Sequence, residues 1–202
     1  MTDVSEKTRI AIARDEAFNF MYRENIEALR REGKVVFFSP LRDEVLPEAD
    51  FLYLPGGYPE LYLSELSANG KMRSAIREYC EAGGHVLAEC GGMMYLCDSI
   101  TGNDSKEYPM VGVLKQRATM EQMKLKLGYR EVRFEDQVVR GHEFHYSRVL
   151  PGDHPLSTIG KVYNAKGIEV DTLIFTYKNV LASYIHFYWG EIGIGYFREK
   201  VK

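Results

Sequence analysis

The chain is poor in cysteine, has no run of like charge and has no long apolar stretch, and each shortage removes a class of function. Its three cysteines, at 80, 90 and 97, make neither a CxxC pair nor an even framework. Structural zinc and a disulfide scaffold are therefore poorly supported, and a reducing compartment fits better. The formal net charge is −3 and the pI about 6.0, and no basic run is present that could track a phosphate backbone. No nucleic acid is expected as a partner. No apolar run approaches the roughly 18 residues of a membrane span, and the polar opening Met1–Lys7 has no signal-peptide pattern. No membrane contact is expected, and the protein is expected to be cytoplasmic. A GxxxxGKS/T phosphate loop is also missing, so no cofactor is expected in this chain.

What is present is enough for one core: 45% of the 202 residues are hydrophobic and 12% aromatic. With no repeat, low-complexity tract or long polar linker, residues 8–202 read as a single domain behind a polar tail at 1–7. The first half alternates strand-like and helix-like segments. Arg9–Ala13 reads as a strand, followed by a helix with Tyr22, Ile26 and Leu29 on one face before Gly33. Val35–Phe38 and Phe51–Leu54 read as strands, the latter running into Pro55-Gly56-Gly57. Lys71–Ala82 reads as a helix carrying Cys80, and His85–Ala88 as a fourth strand. Apolar strands joined by helical crossovers predict an α/β fold with a mostly parallel central sheet and helices on both faces. In the second half, 127–134, 139–146, 173–177 and 180–184 read as extra antiparallel strands, whereas 151–170 has no clear pattern.

The most informative segment is GHVLAECGGMMYL, residues 84–96. A short strand, an abrupt Glu89-Cys90-Gly91-Gly92 turn and an apolar helical start resemble a nucleophile elbow, which exposes the attacking atom and aims backbone N–H groups at it. Such an environment favours thiolate over thiol. The bland alternative is a reduced core cysteine. Cys80 and Cys97, the latter expected on the helix after the elbow, read as packing residues. Ligand chemistry in parallel sheets collects beyond the carboxyl ends of the strands, where both Cys90 and Gly56-Gly57 would emerge.

A thiol nucleophile needs a base. Among His85, His142, His145, His154 and His186, the last is the best placed, at the end of a strand-like run and before the turn that begins at Gly190. His85 and His154 read as surface or loop residues. The segment RGHEFHYS, 140–147, mixes polar and aromatic residues, and is read either as an edge strand facing water or as a substrate contact. If it is extended, Glu143 and His145 share a face and His142 takes the other. That alternation disfavours a two-histidine metal site, and no metal is expected.

Six ordered blocks resemble the glutaminase domain of the cobyrinic acid a,c-diamide synthases, within the class I glutamine amidotransferases. They are ARDEAFNF (13–20), FFSPLRDEVLP (37–47), LPGGYPELY (54–62), AECGGMMYL (88–96), LGYREV (127–132) and RGHEFHYS (140–147). The Gly-Gly-Tyr-Pro-Glu block favours this family over the related cobyric acid synthases. The resemblance implies a flavodoxin-like class I glutamine amidotransferase fold that supplies ammonia for ATP-dependent amidation of the corrin a- and c-carboxylates in cobalamin biosynthesis. It implies that Cys90 attacks glutamine to form a glutamyl thioester, that His186 serves it as base and then acid, and that Gly57 and Gly91 supply the oxyanion hole. Gly56, Glu89, His142, Glu143, His145 and Tyr146 are the substrate contacts expected beside them. Many class I glutaminases carry a glutamate two residues after the histidine; this chain has Tyr188, which leaves a dyad or a carboxylate from elsewhere. ATP, Mg²⁺ and the corrinoid are expected on a synthetase domain or subunit, and a homodimer is possible. Two further readings stay open: a silent module that binds glutamine or docks a synthetase, and a cysteine hydrolase acting on another small amide or ester.

Overall fold

A computed structural model describes residues 8–189 and 192–200. The expected tail, 1–7, and Gly190 of the expected turn lie outside the described residues. The first half runs β1 (Thr8–Ala13), α1 (Arg23–Glu32), β2 (Gly33–Phe38), β3 (Phe51–Leu54), α2 (Leu63–Ala68), α3 (Gly70–Glu81) and β4 (His85–Glu89). Cys90 alone separates β4 from α4 (Gly91–Leu96). Eleven strands follow: β5 (Cys97–Thr101), β6 (Glu107–Pro109), β7 (Leu114–Thr119), β8 (Lys126–Arg133), β9 (Val138–His145), β10 (Arg148–Pro151), β11 (Ser157–Thr158), β12 (Lys161–Asn164), β13 (Ile174–Tyr177), β14 (Val180–Ser183) and β15 (Ile185–Tyr188). The helix α5 (Gly193–Glu199) comes last.

The central sheet has the order β11-β13-β14-β4-β3-β1-β2. Its inner strands pair in parallel, and β13 and β11 extend it antiparallel on one side. Side chains alternate between its faces, and both faces are dry, which is why these strands are apolar throughout. Ala11, Leu52, Leu54, Val86 and Ala88 pack with Leu66, Met72, Ile76 and Met93 of α2, α3 and α4. On the opposite face Ile10, Ile12, Phe51, Tyr53 and Leu87 pack with Ile26 and Leu29 of α1 and Phe197 of α5. The expected α/β architecture is therefore present, with helices on both faces and antiparallel additions in the second half.

Two expectations are corrected. Cys97 does not continue the helix after the elbow: α4 stops after six residues, and Cys97 opens β5, which pairs with both β6 and β7. Sheet pairing on two sides overrides the helical reading there. The segment at 140–147 is not an edge strand facing water. β9 lies between β8 and β15 in a second antiparallel sheet, β12-β8-β9-β15, with Glu143 and His145 buried. The remaining sheet has the order β10-β7-β5-β6.

The chain leaves the central sheet at Tyr184 and enters the β9 sheet at Ile185. Asn25 of α1 holds the far end of this crossing. Its Nδ2 donates to the Phe187 carbonyl at 2.7 Å, and the Trp189 amide donates to its Oδ1 at 3.0 Å, both in the interior. Replacing Asn25 by Ala strands a buried carbonyl and a buried amide, so urea unfolding of Asn25→Ala should show a loss of about 2–4 kcal/mol. An unchanged midpoint would remove Asn25 from the structural account.

Candidate active site

Cys90 sits at φ 47° and ψ −106°, a region that a side chain enters only when its surroundings impose it. Here the constraint comes from both sides. The Cys90 amide donates to the Ser183 carbonyl of β14 at 2.7 Å, and the Cys90 carbonyl accepts from the Met94 amide at 3.0 Å as α4 begins. This is the elbow geometry expected from the sequence. The expected exposure is not found: Cys90 is 5% exposed, and its thiol meets the Phe144 carbonyl of β9 at 3.8 Å. Burial pushes the thiol well above its ordinary value, helped by the nearby Glu60 carboxylate, although the Gly91 amide bonds to the sulfur and pulls the other way. The resting group is a thiol, not the thiolate that an exposed elbow favours.

The turn after β3 lies against both the elbow and the histidine. A methyl group placed on Gly56 would fall 2.1 Å from Cε1 of His186 and 2.8 Å from its Nδ1, so no other residue lets the ring lie there. A methyl group on Gly91 would fall 3.3 Å from the Gly57 amide nitrogen and 2.7 Å from Cδ of Pro59. Gly56, Gly57, Gly91 and His186 therefore meet beyond the carboxyl ends of β3 and β4. Gly91 is the first residue of α4, where an amide has no intrahelical partner.

His186 is delivered from the β9 sheet, not from the end of a central strand. In the register of β15 on β9 it lies opposite His142, and the two rings stack with centroids 4.7 Å apart and planes 12° apart. Phe20 packs edge-on at 4.6 Å. His186 is 4% exposed, and its Nδ1 has no hydrogen-bond partner among the described residues. Burial lowers its pKa to about 3, with His142 and His145 adding to the effect, so the ring is neutral. Tyr188 turns to Tyr22, with ring centroids 5.5 Å apart.

Residues 9–192 match the CobB/CobQ-like glutamine amidotransferase domain. The chain belongs to that family. Among curated relatives, it is 44% identical over 181 residues to the hydrogenobyrinate a,c-diamide synthase of Stutzerimonas stutzeri, covering 89% of this chain and 41% of the relative. It is 42% identical over 192 residues to the cobyrinate a,c-diamide synthase of Picrophilus torridus, covering 91% and 41%. The chain thus spans about two fifths of the length of these relatives. Among solved structures, PurLQS from Thermotoga maritima aligns with a TM-score of 0.58 at 16% identity, covering 91% of this chain and 88% of that one. A glutamine amidotransferase from the same organism aligns with a TM-score of 0.55 at 14% identity, covering 90% and 76%. At these identities the likeness is one of fold.

Within this glutamine amidotransferase domain, the other expected contacts divide between the two faces of β9. His142 faces His186, and the Phe144 backbone carbonyl reaches the Cys90 thiol. Glu143 and His145 face the opposite way, onto a cavity of about 450 Å³ whose other walls include Tyr146, Ser147, Thr172 and Tyr184. Burial opposes ionisation of Glu143, but hydrogen bonds from His145, Arg130 and Thr172 prevail and hold it at about 2. Glu143 and His145 therefore do not join the group around Cys90. Neither does Glu89, which is 1% exposed and accepts from the Tyr53 hydroxyl at 2.7 Å and the Phe187 amide at 3.1 Å. It is a strut between β4 and β15. The site residues missed in the sequence are Phe20, Tyr22 and Phe144. The first sits in the ARDEAFNF block, but its approach to His186 depends on a turn that no local pattern specifies.

Burial raises the Glu89 pKa to about 8, above its ordinary 4.5. The folded state keeps a proton that the unfolded chain gives up, so this contribution to stability is complete below about pH 4.5 and is lost as pH rises through about 8. Glu89→Gln mimics the protonated acid. Compared by urea unfolding from about pH 5 to 9, the parent should lose about 2–5 kcal/mol that the variant does not. Parallel pH profiles would show that Glu89 ionises freely in the folded chain.

Proposed function

We propose that this domain hydrolyses glutamine and supplies the ammonia to an ATP-dependent synthetase unit that amidates the a- and c-carboxylates of cobyrinic acid in cobalamin biosynthesis. The observation that carries the reading is the meeting of an elbow cysteine, a buried neutral imidazole and the Gly57 and Gly91 amides around one turn. The relatives, named as hydrogenobyrinate and cobyrinate a,c-diamide synthases, supply the corrinoid substrate and favour this reading over a cobyric acid synthase.

In this reading the resting pair is uncharged. Cys90 gives its proton to His186 as sulfur attacks the side-chain carboxamide of glutamine, so the thiolate need not exist beforehand. Negative charge gathers on the carbonyl oxygen, and in this reading the Gly57 and Gly91 amides receive it. Collapse of this intermediate breaks the carbon–nitrogen bond, and His186 returns the proton to the departing ammonia. The glutamyl thioester on Cys90 is then attacked by water, with His186 taking one proton and restoring it to the sulfur as glutamate leaves. Tyr188 does not bring a carboxylate to His186, which supports a cysteine–histidine dyad.

This chain has no phosphate-loop motif. Nucleotide, metal and corrinoid are accordingly assigned to the synthetase unit.

A second reading, a silent module that binds glutamine or docks a synthetase, is favoured by one contact: the Cys90 thiol meets the Phe144 carbonyl and not the imidazole. Glutamate release measured with the synthetase unit present separates the two. Cys90→Ser should lower it about 10³-fold or more, and His186→Ala on the order of a hundredfold. Glutamine-dependent stabilisation without release in the parent would favour the silent module, and an active Cys90→Ser protein would end the thioester mechanism.

A further inference from the structure

We propose that His142 is the positioning residue of this site: stacked flat on His186 and held in turn by Tyr22, it does the orienting that a carboxylate does in many class I glutaminases. The inference rests on the glutaminase reading above and deepens it.

Four observations carry it. First, His186 lacks the partner that a triad would provide. Its Nδ1 is buried without a hydrogen bond among the described residues, and the residue two positions on is Tyr188. Second, the ring is nonetheless confined. His142 lies parallel to one face at 4.7 Å, Phe20 meets it edge-on at 4.6 Å, and Gly56 closes a further side. Third, His142 is itself fixed. Its Nδ1 is hydrogen-bonded to the Tyr22 hydroxyl at 2.5 Å, and Phe20 and Tyr22 each pack edge-on against its ring. Fourth, Tyr188 closes the set by packing perpendicular to Tyr22. The residue that stands in place of a triad glutamate thus supports the group that supports His142.

The arrangement also explains why stacked imidazoles serve here. Burial disfavours a proton on either ring, and His142 adds to the effect on His186, so the pair rests neutral. A neutral base in a fixed orientation is what a buried thiol requires, because proton transfer then depends on alignment more than on attraction between charges. The titratable groups around His186 are His142, Glu143 and His145 from β9, Cys90 and Glu89 from the elbow, Tyr22 from the segment before α1, and Tyr188 from its own strand. Glu143 is the one that favours protonation of the ring, and its oxygens are already shared among His145, Arg130 and Thr172.

The test compares the parent chain with His142→Ala, His142→Phe and Tyr22→Phe. Nitrogen-15 spectra of the histidine rings give the tautomer and titration of His186 without any turnover. Glutamate release with the synthetase unit gives kcat and KM. In the parent, His186 should stay neutral with one tautomer across about pH 5–8. In His142→Ala it should titrate closer to the ordinary value of about 6.5. The same variant should lose kcat by about 10-fold to 100-fold, with KM for glutamine changed less than about threefold. His142→Phe keeps a flat ring and should recover most of kcat, and Tyr22→Phe should fall between Ala and parent. A merely structural role for His142 moves neither the His186 tautomer nor kcat selectively. Unchanged His186 titration in both His142 variants overturns the proposal, as does a Phe variant no better than Ala. Should the parent release no Cys90-dependent glutamate, the glutaminase reading fails while the ring titration still decides whether His142 holds His186. Should His142→Ala not fold, the Phe and Tyr22 variants decide the matter alone.

Discussion

The hydrogen bond from the Cys90 amide to the Ser183 carbonyl joins the two halves of the site. On one side it fixes the elbow, whose positive φ persists because β4 and α4 leave no room for a relaxed turn. On the other it pins the last residue of β14, immediately before the chain departs for another sheet. Three residues later the chain presents His186. The proposed catalytic pair therefore does not depend on loops finding each other. Cys90 and His186 are set by adjacent parallel strands and by one change of sheet, with Asn25 securing the far end.

Electrostatically, the thiol and the imidazole both rest uncharged. Burial raises the thiol, lowers the imidazole and keeps Glu89 protonated near neutral pH, all by the same cost of placing charge away from water. Glu143 is the exception, and it is ionised because Arg130 and His145 surround it with donors. Its charge is satisfied on the far side of β9 and is not aimed at the cysteine. Even so, Glu60 and Glu143 both add to the burial that holds the Cys90 thiol protonated.

Much of this was readable in the sequence, for physical reasons that differ by region. The parallel half carries strong local signals, because strands buried on both faces must be apolar and must alternate with helices; β3 begins and ends where Phe51 and Leu54 predict. The Glu-Cys-Gly-Gly turn announced its own geometry. The alternation of Glu143 and His145 against His142 followed from extended backbone alone. What the sequence could not convey were the facts decided by tertiary pairing: that Cys97 opens a strand, that His186 joins β9, that Cys90 is covered by the Phe144 carbonyl. Nor could it reveal Phe20 and Tyr22 as neighbours of the imidazoles, since more than a hundred residues separate them along the chain (a count of order 10², the scale on which only folding sets contacts).

The two-sidedness of β9 limits which changes this strand can absorb. Alternate residues of one strand serve unrelated surroundings: His142 stacks on His186, while Glu143 and His145 complete a polar lattice behind it. Substitutions can alter one set and spare the other. An inserted or deleted residue inside the strand cannot, because a pleat of period two exchanges both sets at once, sending the carboxylate toward the sulfur and the stacking ring into the interior. A change of length is therefore better accommodated at the hairpin bend at 134–137 than inside the strand.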